Sequence, residues 1–191
     1  MLFEIAFFFS DPPVKPLVPV GLRAPELILA GDVNKTLDIW SYGCLVFELV
    51  TGQPLFCVPW DESKTVEDDD HLLQLNDLLG ALPEELYRNW ATASRYFTPE
   101  RKLFNCNVEE AGDGEEREPL MIEQKSMEEM FDEAKPDLNA EEAGKVKVLI
   151  RRILHYDPAQ RPSAVELLRD PWFCDDESEG GLSDLVGASV N

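Results

Sequence analysis

The sequence predicts a mainly α-helical domain, and three observations carry that prediction. Stretches at 36–50, 71–80 and 141–154 are either apolar almost throughout or carry apolar residues at helical spacing. Residues suited to helix ends stand at their borders: Thr36, Gly52, Gly80, Asp157-Pro158 and Ser163. Runs with the two-residue alternation of a half-buried strand are scarce.

Met1 to Phe9 is a short apolar run that carries Glu4 and is followed by Pro12-Pro13. It lacks the basic start and small-residue cleavage site of a signal peptide and is too short to span a bilayer. It reads as a buried strand or a stray leader. Residues 11–20 contain four prolines and must be extended or turning, because proline fixes φ and restricts its predecessor. A short helix can start at Pro25, a residue suited to a first helical turn.

Thr36 to Val50 is the most readable stretch, with Thr36 as N-cap and Gly52 as the terminating glycine. Leu37, Ile39, Trp40, Cys44, Leu45, Val46, Phe47, Leu49 and Val50 leave almost no polar face. A helix apolar nearly all round is a buried one, so this is predicted as the central core helix. Residues 61–70 read as an acidic loop. Leu72, Leu75, Leu78 and Leu79 then give amphipathic spacing up to Gly80. Pro83 opens a short helix through about Trp90. Residues 105–118 are loop-like and acidic, and 126–134 suit a helical turn or two. Glu141 to Leu154 is a stronger helix, whose Lys145, Lys147, Arg151 and Arg152 complement the negative end of its dipole. Ser163-x-x-Glu166 matches a capping box at the head of a last helix. The acidic residues after Phe173 read as a disordered tail.

Length and charge narrow the function. The 191 residues suit one domain with a sizeable core. Asp and Glu number 38 against 17 Lys and Arg, a formal net charge of -21. Such a surface repels phosphate backbones, which disfavours nucleic acid, and attracts Arg- or Lys-rich peptides; the same acid also simply keeps a chain soluble. Cys44, Cys57, Cys106 and Cys174 show no C-x-x-C spacing, and His71 and His155 are the only histidines, so a zinc site is not expected. Scattered cysteines fit a reducing compartment. His155 reads as a helix C-terminal residue, and no serine stands in a nucleophile motif.

Three separated motifs remain. They are Arg23-Ala24-Pro25-Glu26, then Asp38-Ile39-Trp40-Ser41-Tyr42-Gly43-Cys44 at the head of the core helix, then Asp157-Pro158-Ala159-Gln160-Arg161-Pro162. In this order and spacing they resemble the C-terminal lobe of a protein kinase, whose signature set includes an A-P-E element. The resemblance covers roughly residues 20–173. It implies a buried ion pair between Glu26 and Arg161. It also implies that Asp38 accepts backbone hydrogen bonds from a catalytic loop; the simpler reading of an acid in a first helical turn is the helix dipole, and the neighbouring Trp40 and Gly43 favour the former. A long insertion between the helices at 71–79 and 141–154 is similar to that of the group containing MAP kinases and SR-protein kinases. The stretches LRAPELILAG, DIWSYGCLVFELVTGQPLF and DDDHLLQLNDLLGALPEEL resemble SR-protein kinases in particular.

That family phosphorylates serines in Arg-Ser repeats of splicing factors, with ATP and Mg²⁺, and docks the arginines in an acidic groove. Two positions of the groove match Asp70 and Asp77, seven residues apart and so on one helix face. Carboxylates there suit charge-assisted binding of guanidinium groups. A third acidic position of some members falls on Gln53, a departure from the pattern. The sequence contains no G-x-G-x-x-G, no H-R-D and no D-F-G, the elements that hold ATP, metal and the attacking hydroxyl. The resemblance therefore implies a truncated, mainly α C-terminal lobe without the β-rich N-terminal lobe. Residues 1–19 would be an extended leader or remnant of the activation segment, 20–173 the lobe with an acidic insertion at about 98–139, and 174–191 the tail. The expected function is that of an inactive serine/threonine kinase fragment in cytoplasm or nucleus, with no catalytic, cofactor or metal residue and no membrane contact. The alternative is a non-catalytic docking module for Arg-rich peptides.

Overall fold

A computed structural model describes residues 18–29, 31, 34–103 and 125–173. The expectations placed on 1–17, 105–118 and 174–191 lie outside these residues. Seven α-helices are present among the described residues: α1 (Pro25–Ile28), α2 (Thr36–Thr51), α3 (Lys64–Leu79), α4 (Glu84–Asn89), α5 (Met127–Ala134), α6 (Ala140–Ile153) and α7 (Ala164–Leu167). They contain no β-strand, and one isolated antiparallel bridge joins Phe97 to Leu103. The domain is mainly α, as the sequence predicts.

The core is built around α2, which packs on α6 and touches α5. Trp40 and Phe47 of α2 meet Met127 and Phe131 of α5, Leu149, Ile150 and Ile153 of α6, and Leu72 and Leu75 of α3 in one apolar cluster. Phe47 and Phe131 meet edge to face, 6.1 Å between centroids, a favoured aromatic geometry. Gly43 lies where α2 crosses α6. A Cβ there would press into the side chains of Ile153 and Leu154, so only glycine permits this approach.

Burial of α2 is one-sided. Tyr42, Leu45 and Leu49 form an outward stripe at helical spacing, and Leu49 is 82% exposed. The expectation of a helix buried all round is therefore corrected: apolar composition does not reveal which flank has a neighbour. Thr36 is also not the cap. The N-cap position falls on Lys35, whose side chain makes no capping hydrogen bond, while Asn34 before it accepts at Oδ1 from the Thr36 backbone N–H at 2.8 Å and from the Thr36 hydroxyl at 2.6 Å. Gly52 ends the helix in the left-handed region, φ 74°, its N–H donating to the Glu48 carbonyl.

The largest revision concerns α3. It begins at Lys64, so most of the expected acidic loop at 61–70 is helical. Glu67 stands in its first turn, where the helix dipole favours negative charge. Lys64 pairs with Asp68 one turn on at 3.3 Å. Arg23 adds a cation from outside the helix, 3.1 Å from Glu67 and 3.7 Å from Asp68. The other end of α3 is equally well satisfied. Arg151 donates to the carbonyls of Leu79 and Leu78 at 2.9 and 3.2 Å, and the Tyr156 hydroxyl reaches those of Leu75 and Gly80. These side chains supply the partners that helical carbonyls lack at a C-terminus.

Capping boxes open three helices: Ser126 with Glu129, Asn139 with Glu142, and the expected Ser163 with Glu166. The last helix stops at Leu167, earlier than the AVELLRD run implies. Asp170 follows in a turn, buried, accepting from Arg152 at 2.7 Å and from the Trp172 N–H at 3.0 Å.

Candidate functional site

Three of the motif residues converge on one buried point. Ala24 and Pro25 start α1, with proline at its first position, and this puts Glu26 in the first turn facing inward. Asp157-Pro158 ends the stretch after α6 and turns the chain so that Arg161 enters from the opposite side. Arg161 donates Nη1 to Glu26 Oε1 at 2.6 Å and Nη2 to Oε2 at 2.8 Å. Its remaining donors go to the carbonyls of His155, at 2.9 Å, Thr36, at 3.1 Å, and Tyr156, at 3.5 Å. The guanidinium carbon lies 4.8 Å from the centroid of the Trp40 ring. The Arg161 side chain is 0% exposed, so its charge is compensated entirely by protein groups.

Asp38 behaves differently. It is exposed, and no described residue donates a hydrogen bond to it. Arg23 reaches sideways, donating Nε to the Val18 carbonyl at 3.1 Å while pairing with Glu67. This tethers the segment before α1 to the head of α3.

Asp70 and Asp77 are both half-buried on α3, away from the Glu26–Arg161 pair in sequence. Gln74 holds Asp70, donating Nε2 to its Oδ2 at 2.7 Å. The same side chain clasps the α2–α3 connection: the Cys57 N–H donates to Gln74 Oε1, and Gln74 Nε2 donates to the Cys57 carbonyl, both at 2.9 Å. Asp77 acts on Tyr156. Burial pushes that phenol up, Arg151 opposes the shift, and the Asp77 charge adds to it.

The carboxylate that α3 buries most fully is Asp69, which the sequence reading passed over. Its Oδ1 accepts from Trp90 Nε1 at 2.6 Å and from the Thr92 hydroxyl, and its Oδ2 accepts from the Tyr96 hydroxyl at 2.9 Å. A signal existed: 69, 72 and 76 share the inward face by helical spacing. His71 is also inward, 5.1 Å from the Phe56 ring, with neither ring nitrogen hydrogen-bonded. Burial, helped by the positive charge of Arg23, holds it neutral by lowering its pKa to about 3.

A cavity of about 210 Å³ opens between the turn at Val20–Leu22, α2 and the α2–α3 connection, lined by Leu22, Cys44, Glu48, Pro54 and Phe56 among others. Burial pushes the Cys44 thiol up to about 12, which leaves it un-ionised and unreactive at neutral pH. Among the described residues no cluster of three or more His, Cys, Asp or Glu is arranged to hold a metal ion. No helix among them is long and apolar enough to cross a membrane.

These features match known proteins over most of the chain. The family model for the protein kinase domain covers residues 15–173. Serine/threonine-protein kinase SRPK of Physarum polycephalum is 32% identical over 153 residues, 80% of this chain and 33% of that protein. Serine/threonine-protein kinase SKY1 of Saccharomyces cerevisiae is 31% identical over 153 residues, 80% of this chain and 19% of that protein. Human dual specificity tyrosine-phosphorylation-regulated kinase 3 is 30% identical over 157 residues, 79% of this chain and 25% of that protein. The chain thus spans a third or less of these relatives. With an A-P-E glutamate and a distant arginine joined beside one core helix, and with such matches along most of its length, the chain belongs to the protein kinase family and is SR-protein-kinase-like.

Proposed function

We propose that these residues form the substrate-docking half of a serine/threonine kinase, and that α3 takes up Arg-rich peptides through Asp70 and Asp77. One observation carries the reading: Gln74 fixes the Asp70 carboxylate on the α3 face that Asp77 shares, beside a connection it also clasps. Carboxylates held in place lose less freedom on meeting a guanidinium, which binds them through charge-assisted hydrogen bonds. The net charge of -21 steers basic peptides to the chain. The family relationship supports an Arg-Ser-rich substrate for the whole enzyme, acting in cytoplasm or nucleus with ATP and Mg²⁺.

By themselves the 191 residues carry no Gly-rich loop, H-R-D or D-F-G, so this stretch alone docks and does not phosphorylate. The test has two arms. Titration with an Arg-Ser peptide should show binding that weakens as salt rises. Incubation with ATP, Mg²⁺ and that peptide should leave it unphosphorylated. Absence of binding at low salt overturns the docking reading, and phosphate incorporation overturns the catalytic one.

A further inference from the structure

The α2–α3 connection holds a large aromatic in the open. Trp60 is 79% exposed, between Pro59 and the exposed acids Asp61 and Glu62. Its backbone is anchored on both sides. Three residues before it, Cys57 is held through N–H and carbonyl by Gln74. Just after it, Asp61 Oδ1 accepts from the Ser63 N–H at 2.7 Å, closing the turn that starts α3. Three residues of extended chain reach at most about 10 Å, so Trp60 stands within that distance of Cys57, which touches the residue that positions Asp70. The exposed Val66 lies on α3 one turn before Asp70.

An indole kept in water gains nothing from that position in the isolated chain, since burial is what rewards an aromatic. With carboxylates at the next two positions, the indole suits a guanidinium, which stacks on aromatic rings and is weakly hydrated. An acidic peptide is disfavoured by Asp61 and Glu62, the exposed acids next to it in the chain.

We propose that Trp60 is the aromatic wall of the docking face and stacks on an arginine of the bound peptide, making the site select arginine over lysine. This rests on the docking reading of Asp70 and Asp77, and names the residue that sets its specificity. The purified chain is titrated by calorimetry with an Arg-Ser peptide and its Lys-Ser counterpart, using wild type, Trp60→Ala, Trp60→Phe and Asp70→Lys. Trp60→Ala should weaken the arginine peptide roughly two- to fivefold and the lysine peptide less, narrowing the preference. Trp60→Phe should keep most of it. Asp70→Lys should weaken both peptides. Circular dichroism checks that each variant keeps its helices. If Asp70→Lys weakens binding while Trp60→Ala leaves the preference unchanged, the Trp60 proposal fails and the docking reading stands. If Trp60→Ala weakens both peptides equally, the tryptophan is a general contact and the proposed selectivity is wrong. If wild type binds neither peptide, both readings fall.

Discussion

Arg161 grips both carboxylate oxygens of Glu26, at 2.6 and 2.8 Å, across 135 positions of sequence. The pair staples α1 to the turn after α6. Removing one partner strands the other charge in a buried site. Glu26→Ala is expected to cost about 3–5 kcal/mol, read as a lower urea midpoint. Replacing both residues by apolar ones of similar volume should cost less than Glu26→Ala alone. Equal losses would mean that the pair acts only by filling space.

How α2 meets α6 yields a second expectation. A Cβ on Gly43 has no room before Ile153 and Leu154. Gly43→Val should therefore lower stability by about 1–3 kcal/mol through overpacking. Leu49→Ser, on the exposed stripe of the same helix, should change it by less than about 0.5 kcal/mol. Thermal unfolding of the two variants distinguishes the flanks.

These contrasts show what the sequence could reveal. The existence of α2 and α6 was legible because a long apolar run in one and helical spacing in the other end at clear stop signals, Gly52 and Asp157-Pro158. The capping box at Ser163 was legible because its chemistry is local. The outward stripe of Tyr42, Leu45 and Leu49 was not, since a nearly uniform apolar helix gives no direction. The first turns of α3 were missed because their carboxylates read as loop, and one of the two cations that accompany them, Arg23, comes from a distant segment. Asp69 was missed for a related reason: its partners Trp90, Thr92 and Tyr96 lie beyond Gly80, and only folding joins them.

That network gives a third expectation. Asp69→Ala would leave the Trp90 N–H without its carboxylate in a buried site, at a cost of about 1–3 kcal/mol. Asp70→Ala, one residue on and half-buried, should cost less and act on peptide binding instead. Chemical denaturation of both variants, paired with peptide titration, tests this separation.

His71 makes stability depend on pH. Its pKa is lowered from 6.5 to about 3 in the folded chain. Below pH 6.5 the unfolded chain takes up a proton that the folded one refuses, so stability falls as the solution becomes more acidic. The loss approaches 1.4 kcal/mol per pH unit, or about 2 kcal/mol by about pH 5. His71→Leu should lose less stability than wild type between neutral pH and that point. Parallel losses in urea midpoints would show that His71 is not the group responsible.

The central claim is that α3 presents Asp70 and Asp77 to arginine-rich chains. Titration of an Arg-Ser peptide against wild type and the Asp70→Lys, Asp77→Lys double variant addresses it most directly. The account predicts salt-dependent binding to wild type and its loss in a variant that keeps its helical content. Equal affinity for the two proteins would contradict it.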